Sequence, residues 1–452
     1  MKKILILYSL FFFISKDSSA QRQANIWHFG NLAGIDFNSG VAVAISGPIF
    51  TQEGCASVCD SAGNLLFSTD GITIYNSAGS IMDDSLNGDH STTQSAIIVP
   101  FPGSSNKYFI FTCINLSQPA GICYSVVDMN LNGGLGGLIS INTPLLTPAC
   151  EKLSAVLNSN GIDYWVIVHA ATNNNFYAYP ITTSGVGTAV ISSIGLPTNG
   201  AGSSIGYLKC SPNGQKIADA RWGVTNAPVE LFDFNATTGA LSNYVPIPNP
   251  GDAYGISFSS DNSKLYTSNT DTAINILQYD LTTINFQNFP YSVMLSSSLV
   301  HTALQLAPDG KIYCSKEYQN TLGVINNPNL AGAACNYNDD GFTLLSGTEA
   351  IWGLPNFIDS YFKNINATAP IISSENNFAI SPNLVSDNII ISEILTEENI
   401  VAIFNLQGQQ LKRLIVSKVQ NLTINISDLP SGIYMLTVSN NKKIICKKFV
   451  KE

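Results

Sequence analysis

Charged side chains are scarce in this sequence, and basic ones most of all. Asp, Glu, Lys and Arg make up 12% of the 452 residues, and 21 basic residues face 31 acidic ones, which gives a formal net charge of −10. Nucleic-acid binding needs a basic surface that displaces counterions from the phosphates, and adsorption to anionic lipids needs basic clusters. The composition therefore argues against both kinds of partner. Because 45% of the residues are hydrophobic, it also argues against an intrinsically disordered chain.

Recognisable catalytic and metal-binding motifs are missing as well. No histidine stands in an HxH or HExxH pattern, so the sequence signals no zinc site, and there is no GxSxG nucleophile motif. Sialidases grip a carboxylate with three arginines, because the guanidinium fork forms two hydrogen bonds with it. Residues 21–376 contain only Arg22 and Arg221, which excludes this activity. We interpret the four histidines as structural or exposed: His28, His90, His169 and His301.

Long apolar runs are absent after the first twenty residues. At the start of the chain, two lysines precede an apolar run over residues 4–14, and small residues follow up to Ala20. This order is typical of a secretory signal peptide, and the run is shorter than the roughly 20 residues that span a bilayer. We predict a signal peptide over residues 1–20, cleaved between Ala20 and Gln21, and no transmembrane segment.

The nine cysteines are an odd number, so one thiol is left over if the others pair. Cys113 and Cys123 flank a loop between two predicted strands, which makes them the candidate disulfide. Cys446 lies in the last segment of the chain and would leave with it if that segment is removed. No CxxC spacing is present, so the sequence gives little support to metal binding through cysteine.

One pattern of strands and turns recurs through the middle of the chain. A short apolar strand runs into a turn rich in Asn, Asp and Gly, which supply the positive φ that tight turns need, and further strands follow. Four strands per 40–50 residues is the period of a propeller blade, whereas an array of β-sandwiches would repeat about every 100 residues. The turn residues are 43 to 55 positions apart: Gly63, Asn106, Gly161, Gly214, Asn262 and Gly310.

Six copies of the pattern are visible, and the two ends of the region supply a seventh. Residues 350–358 would give the inner strand of that blade, and residues 25–29, 34–37 and 41–45 the other three. Joining both ends in one blade closes the ring and leaves no exposed sheet edge. We predict an all-β protein in which residues 24–362 form a seven-bladed β-propeller.

The repeats resemble those of the WD40/YVTN-like propeller superfamily in their period. The opening NIWHFGNLAGIDFN and the closing GLPNFIDSYF are similar to the ends of a family of exported Bacteroidota propellers. The resemblance covers residues 24–362. It implies a fold and an extracellular location, and no catalytic residue.

A polar segment that contains Pro370, residues 363–376, is typical of a linker. Beyond it the charge balance changes, because residues 377–452 hold eight basic and six acidic residues against 10 and 24 in residues 21–376. Apolar and polar residues alternate in this tail, which predicts a small antiparallel β-sandwich.

The tail resembles the type A C-terminal sorting domain of type IX secretion cargo. In that family the tail is read by the translocon and cut off by a sortase, often with attachment of the cargo to surface lipopolysaccharide. The resemblance implies these partners and a secreted or surface-anchored protein; the alternative is an ordinary accessory β-domain. Leu384 departs from the family, which usually has proline there. The matching residues are Ser381, Pro382, Asn383, Gly408, Leu429, Gly432, Tyr434, Lys447, Lys448 and Phe449.

One loop carries oxygen-bearing residues at alternate positions, Asp83, Ser85, Asn87 and Asp89. This spacing resembles the first half of a calcium loop, because a hard cation binds several such oxygens on a sharp turn. The usual closing glutamate is missing, and Gln94 stands in its place. Calcium is the one candidate cofactor.

Three functions remain open. The first is a secreted or cell-surface propeller that binds a glycan, a matrix polymer or a partner protein through its loops. The second is an extracellular polysaccharide lyase or hydrolase that uses loop carboxylates such as Asp83-Asp84 or Asp339-Asp340, and the third is a structural component of the cell surface or gliding apparatus. The lack of a catalytic motif favours binding. The tryptophans could stack on sugars but are expected to pack between blades: Trp27, Trp165, Trp222 and Trp352.

Overall fold

The structure is a computed structural model of the chain, which divides into two compact units, Met1–Ile365 and Asn366–Glu452. The predicted signal peptide, residues 1–20, lies outside the described residues. The structure describes residues 21–114, 121–198, 201–224, 227–249, 251–270, 274–288, 290–295, 299–363, 379–381, 384–395, 399–405, 410–417, 419–439 and 444–452.

The described part of the first unit contains seven antiparallel sheets, in which the strands pair in chain order except that β16 pairs with β14. We number the sheets 1 to 7 along the chain. Sheet 1 contains β1 (Ile26–Phe29), β2 (Asn31–Asp36) and β3 (Val43–Phe50), sheet 2 contains β4 (Ala56–Cys59), β5 (Leu65–Thr69), β6 (Ile74–Asn76) and β7 (Ile81–Asp83), and sheet 3 contains β8 (Ala96–Pro100), β9 (Lys107–Cys113), β10 (Ile122–Asp128) and β11 (Gly137–Leu146). Sheet 4 contains β12 (Ala149–Leu157), β13 (Tyr164–Ala170), β14 (Asn175–Thr182), β15 (Gly185–Val186) and β16 (Val190–Ser193), and sheet 5 contains β17 (Leu208–Cys210), β18 (Lys216–Asp219), β19 (Val229–Asn235) and β20 (Ala240–Ile247). Sheet 6 contains β21 (Ala253–Phe258), β22 (Lys264–Asn269), β23 (Ile274–Asp280) and β24 (Tyr291–Leu295), and sheet 7 contains β25 (His301–Leu306), β26 (Ile312–Lys316), β27 (Thr321–Ile325) and β28 (Tyr337–Thr343).

Helices in the described residues are single turns. One α-helical turn covers Ala201–Ser204. The 3-10 turns cover Arg22–Ala24, Asn132–Gly134, Phe286–Asn288, Gly332–Cys335 and Asp359–Phe362. The all-β prediction is confirmed.

The predicted turn residues join the first and second strands of sheets 2 to 7. Five of the six have positive φ, between 64° and 92°, and each donates its backbone N–H three residues back, as Gly214 does to Ser211 O at 2.8 Å. In sheet 3 the positive φ belongs to Gly103 and not to Asn106. The repeat therefore has the predicted register, with the turn of sheet 3 shifted by three residues.

Residues 350–358 form no regular strand, which corrects one prediction. Sheet 1 contains β1, β2 and β3, close to the three N-terminal segments that were predicted. The segment makes isolated bridges instead, from Ala350 to Gln319 and from Pro355 to Cys55. Proline has no N–H to donate, so it interrupts a ladder.

The segment from Ala350 to Phe362, which we call the central segment, contacts the first strands of several sheets. Asn356 donates its Nδ2 to Leu153 O of β12 (3.0 Å) and its backbone N–H to Cys55 O (2.8 Å) before β4. Asp359 accepts hydrogen bonds from Ser154 Oγ of β12 (2.8 Å) and from the backbone N–H of Cys210 in β17 (2.9 Å). The segment is thus held by side chains and by scattered backbone bonds, a pattern that the alternation of the sequence does not reveal.

The second unit contains two sheets that share one apolar core. The three-stranded sheet has the order β29-β31-β34, and the five-stranded sheet the order β30-β36-β35-β32-β33. Ile391 and Ile424 of the first sheet pack in one cluster with Ile403, Leu436 and Phe449 of the second, as expected for a sandwich. All pairs are antiparallel except β30 with β36. The bounds are β29 (Ala379–Ser381), β30 (Leu384–Val385), β31 (Asn388–Leu395), β32 (Asn399–Phe404), β33 (Gln410–Val416), β34 (Val419–Asn425), β35 (Gly432–Ser439) and β36 (Ile444–Lys451).

Candidate functional site

Five acidic and aromatic residues meet where first strands of the first unit begin. Glu53 lies three residues before β4, Glu151 is in β12, Tyr254 is in β21, Trp222 follows β18, and Trp352 is in the central segment. We call them the acidic–aromatic cluster. The register of β12 against β13 and of β21 against β22 shifts at these strand starts. Such bulges re-aim side chains and often lie beside functional sites.

The aromatic rings of the cluster form a chain of edge-to-face contacts. Tyr254 and Trp352 have ring centroids 5.2 Å apart, and Trp352 and Trp222 have theirs 6.2 Å apart. Both indole N–H groups are anchored, from Trp352 to Glu317 Oε1 (2.8 Å) and from Trp222 to Thr270 Oγ1 (2.7 Å). Tyr254 is buried, whereas both tryptophans are partly exposed. The cluster therefore presents two fixed indoles to solvent.

Glu53 is the titratable centre of the cluster. Tyr254 Oη donates a hydrogen bond to Glu53 Oε2 at 3.0 Å. Burial, reinforced by the negative charges of Glu151 and Asp89, raises the pKa of Glu53 to about 8 against the opposing effect of Tyr254. Glu151, the second carboxylate of the cluster, accepts a hydrogen bond at Oε2 from the backbone N–H of Thr93, at 3.4 Å. At neutral pH Glu53 is therefore largely protonated and can donate a proton.

A network of buried ion pairs lies beside the cluster, between sheets 4 and 5. Lys152 Nζ is 2.7 Å from Asp219 Oδ1, and both side chains are 0% exposed. His169 Nδ1 is 3.3 Å from Asp219 Oδ2. Burial works against the charged imidazole, but Asp219 and Cys150 outweigh it and raise the pKa of His169 to about 9. The network holds β12, β13 and β18 together.

A second buried pair fixes the loop that carries Trp222. Arg221 Nη1 is 3.0 Å from Glu230 Oε2 of β19. The same guanidinium donates from Nη1 to Leu196 O (3.1 Å) and from Nη2 to Pro197 O (2.8 Å). Burial, together with the charge of Asp219, raises the pKa of Glu230. Arg221 is therefore a structural residue.

The predicted calcium residues lie at the end of β7 and in the hydrogen-bonded loop that follows it. Asp83 Oδ1 accepts the backbone N–H of Ser85 (2.9 Å) and contacts its hydroxyl. Asn142 holds the same loop through Ser85 O (2.8 Å) and the Asn87 N–H (2.9 Å), and Asp89 Oδ1 accepts the N–H of Ser91. Among the described residues, no group of three or more His, Cys, Asp or Glu side chains is arranged to hold a metal ion. The calcium site stays a prediction.

The predicted disulfide between Cys113 and Cys123 is not formed, and both thiols are free and buried. Cys113 pairs with Ile122, and Cys123 with Thr112, across β9 and β10. Neighbouring positions on a strand point to opposite faces of the sheet, so the two sulfurs lie on different faces. The two cysteines are therefore one residue out of register, and this offset keeps their sulfurs apart.

The remaining tryptophans are packing residues, and two of the histidines are fully buried, each beside an aspartate. Trp27 and Trp165 are buried, as expected, and Trp27 packs against Phe37 and Tyr313. His169 and His301 are 0% exposed. Sequence reasoning missed Glu53, Glu151 and Tyr254; the one available signal was their common position near the start of a first strand of the repeat.

Most of the described sorting-motif residues lie in the last two strands of the second unit, whereas Ser381 ends β29 and Leu429 precedes β35. Tyr434 of β35 stacks on its register partner Phe449 of β36, with centroids 5.5 Å apart, and its hydroxyl donates to Pro430 O at 2.7 Å. Leu429 packs against the core, and Gly432 begins β35. Lys447 and Lys448 are in β36. Pro382, Asn383 and Gly408 lie outside the described residues.

Residues 379–452 match the family of secretion system C-terminal sorting domains. The protein is secreted or attached to the cell surface. The match also implies interaction with the type IX secretion machinery. Over the part of the chain that the structure describes, no helix is both long and apolar enough to cross a membrane.

Many solved structures are similar to the chain, and the three described next are so at low identity. No curated protein matches it. One is a protein from Lactobacillus plantarum (12% identity, 80% of this chain and 95% of that chain, TM-score 0.39). Another is a candidate 6-phosphogluconolactonase from Bacteroides fragilis (13%, 80% and 94%, 0.38). The third is a gluconolactonase from Xanthomonas campestris (11%, 66% and 88%, 0.34). At these scores the likenesses leave the activity of this chain open.

Proposed function

We propose that the protein is a binding or adhesion protein of the outer cell surface, built as a closed seven-bladed propeller over residues 24–362. Its signal peptide, residues 1–20, and its sorting tail, residues 377–452, take it through the type IX pathway of a Bacteroidota cell, with residues 363–376 as the linker. The seven sheets of the described first unit and the 40–50-residue repeat support the propeller. The bridge between Asn31 and Glu349 supports closure, because it joins the two ends of the unit.

The ligand binds at the acidic–aromatic cluster, and the observation that carries this proposal is the pair of partly exposed, anchored indoles, Trp222 and Trp352. Tryptophan and tyrosine dominate binding hot spots, because they offer a large rigid surface at little entropic cost. A few polar groups beside an apolar surface then fix the ligand. Glu53 and Glu317 are such groups here, and a polysaccharide presents both the apolar faces and the hydroxyls that fit them.

One observation favours an enzyme as the second candidate. Glu53 has its pKa raised to about 8 and shares Thr93 with Glu151. Glycoside hydrolysis uses a pair of carboxyl groups, of which one donates and the other accepts a proton. The enzyme would act on the same polysaccharide that the indoles hold.

A depletion assay on insoluble cellulose, chitin, xylan and mannan tests the proposal with the mature protein. Trp222→Ala and Trp352→Ala should each weaken binding about tenfold, because each removes one stacking surface, whereas Tyr291→Ala, at a tyrosine 42% exposed on β24, should not. Equal depletion by wild type and both variants would refute the site. New reducing or unsaturated ends that disappear in Glu53→Gln would establish the enzyme instead.

A further inference from the structure

An open groove of about 740 Å³ lies between sheets 1 and 2, and the acidic–aromatic cluster contributes nothing to it. This volume falls in the range of small-molecule sites, roughly 300–1,000 Å³. Sheet 1 supplies part of β1, β3 and the loop after β2, and sheet 2 supplies its two turns. The lining includes His28, Ile45, Ser46, Pro48, Asn64, Ser77 and Ala78.

His28 is the most deeply placed polar side chain of the groove, only 6% exposed. Its Nδ1 lies 3.1 Å from Ser68 Oγ. Gly47 leaves room for the ring, since a Cβ there would come within 2.4 Å of His28 Cδ2. Burial lowers the pKa of His28 to about 4, so the imidazole is neutral at physiological pH. The side chain lines the groove and its Nδ1 is engaged by Ser68, which leaves Nε2 as the ring nitrogen for a ligand.

The other polar groups of the groove are uncharged. The lining contains no Asp, Glu, Lys or Arg. Ser46 and Ser77 are exposed residues of the lining that carry hydroxyls. Asn64 donates its Nδ2 to Asp60 Oδ2 at 2.9 Å, and its amide oxygen can accept a further hydrogen bond. The lining therefore offers a charged ligand no counter-charge. The groove therefore favours a neutral ligand.

We propose that this groove is a second binding site and that it takes an uncharged saccharide unit. Ser68 Oγ can donate to or accept from Nδ1, so Nε2 of the neutral imidazole can be either acceptor or donor. A sugar hydroxyl serves both cases, because it donates and accepts. Ile45 and Pro48 offer small apolar surfaces beside these polar groups, which suits the C–H faces of a sugar ring. The site is independent of the acidic–aromatic cluster.

The test uses the mature protein, isotope-labelled at histidine, with xylohexaose, cellohexaose and mannohexaose as neutral probes and hexagalacturonate as the charged one. At least one neutral probe should shift the ring resonances of His28, and hexagalacturonate should not. Ala78→Trp, at an exposed turn of the groove, should weaken this binding at least tenfold. The same substitution at Ile162, an exposed turn residue of sheet 4, should leave it unchanged.

The double variant Trp222→Ala/Trp352→Ala separates this proposal from the binding function proposed above, because it should retain the His28 shift in full. The second site is refuted if no neutral probe shifts His28, if hexagalacturonate binds equally well, or if Ala78→Trp has no effect. Loss of the shift in the double variant would also refute it, because the two sites would then be one.

Discussion

The ion network around Asp219 and the acidic–aromatic cluster are neighbours along β12, where Lys152 belongs to the first and Glu151 to the second. In the network a fully buried lysine lies 2.7 Å from a fully buried aspartate. In the cluster, the hydrogen bond to Glu53 comes from the neutral Tyr254. The charged groups that raise the pKa of Glu53 are Glu151 and Asp89, and both carry the same sign as an ionised glutamate. Opposite charges hold the sheets together in the network, whereas acidic groups alone collect beside the exposed indoles. The difference separates a structural site from one suited to a ligand.

Removing one partner of the buried pair should give the largest loss of stability. Asp219→Asn leaves the Lys152 ammonium without a counter-charge in a fully buried position, and breaking such a pair costs about 3–5 kcal/mol. Guanidinium unfolding of the mature protein measures this loss. The double variant Lys152→Met/Asp219→Leu, which removes both charges, should recover most of it. A loss below about 1 kcal/mol in Asp219→Asn would mean that the network is not structural.

A smaller effect, dependent on pH, should come from Glu53. Its folded pKa of about 8 lies above the ordinary value of 4.5, so the folded state binds the proton more tightly than the unfolded state. The stabilisation is complete below pH 4.5 and is lost as pH rises through about 8. Taken in full, this change of pKa corresponds to about 5 kcal/mol. Because the Glu53 side chain is partly exposed, solvent reduces the effect, and the free energy of unfolding of the wild type should fall across this window by on the order of 2 kcal/mol relative to Glu53→Gln.

The difference between the two proteins is the quantity to measure, by urea unfolding at several pH values. His169, whose pKa is raised to about 9, also loses its stabilising proton as pH rises from 6.5 to about 9. This loss of stability is the same in both proteins, so it cancels in the difference. Parallel stability curves for wild type and Glu53→Gln would show that Glu53 is an ordinary solvated carboxyl group. The cluster would then lose its contrast with the ion network.

Local chemistry explains which parts of the fold could be predicted. Gly214 and Asn262 indicate turns, because few other residue types accept positive φ. The strands around them can be predicted from the alternation of apolar and polar residues. The central segment was harder to predict, because the side chains of Asn356 and Asp359 hold it by hydrogen bonds to strands that are distant in the sequence. Its pattern resembles a strand, but Pro355 and side-chain contacts give it another role.

The candidate site could be predicted only in part, because distance along the chain hides it. Glu53 and Tyr254 are 201 positions apart and meet only through the arrangement of the sheets. Trp222 and Trp352 were noticed as possible sugar-stacking residues, yet nothing in the sequence pairs them or distinguishes them from the buried Trp27. The Cys113–Cys123 disulfide failed for a related reason, since a one-residue register offset cannot be read from spacing.

The smallest effect should come from an ion pair on the same strand as Asp219. Lys216 begins β18, and its Nζ lies 2.5 Å from Asp233 Oδ1, but these side chains are 40% and 39% exposed. Water solvates both groups in the unfolded state and nearly as well in the folded one, so Lys216→Met should change the free energy of unfolding by less than about 1 kcal/mol. Raising the salt concentration should shrink even that difference, whereas the loss in Asp219→Asn should persist. A large, salt-resistant loss in Lys216→Met would show that burial is not what distinguishes the two pairs.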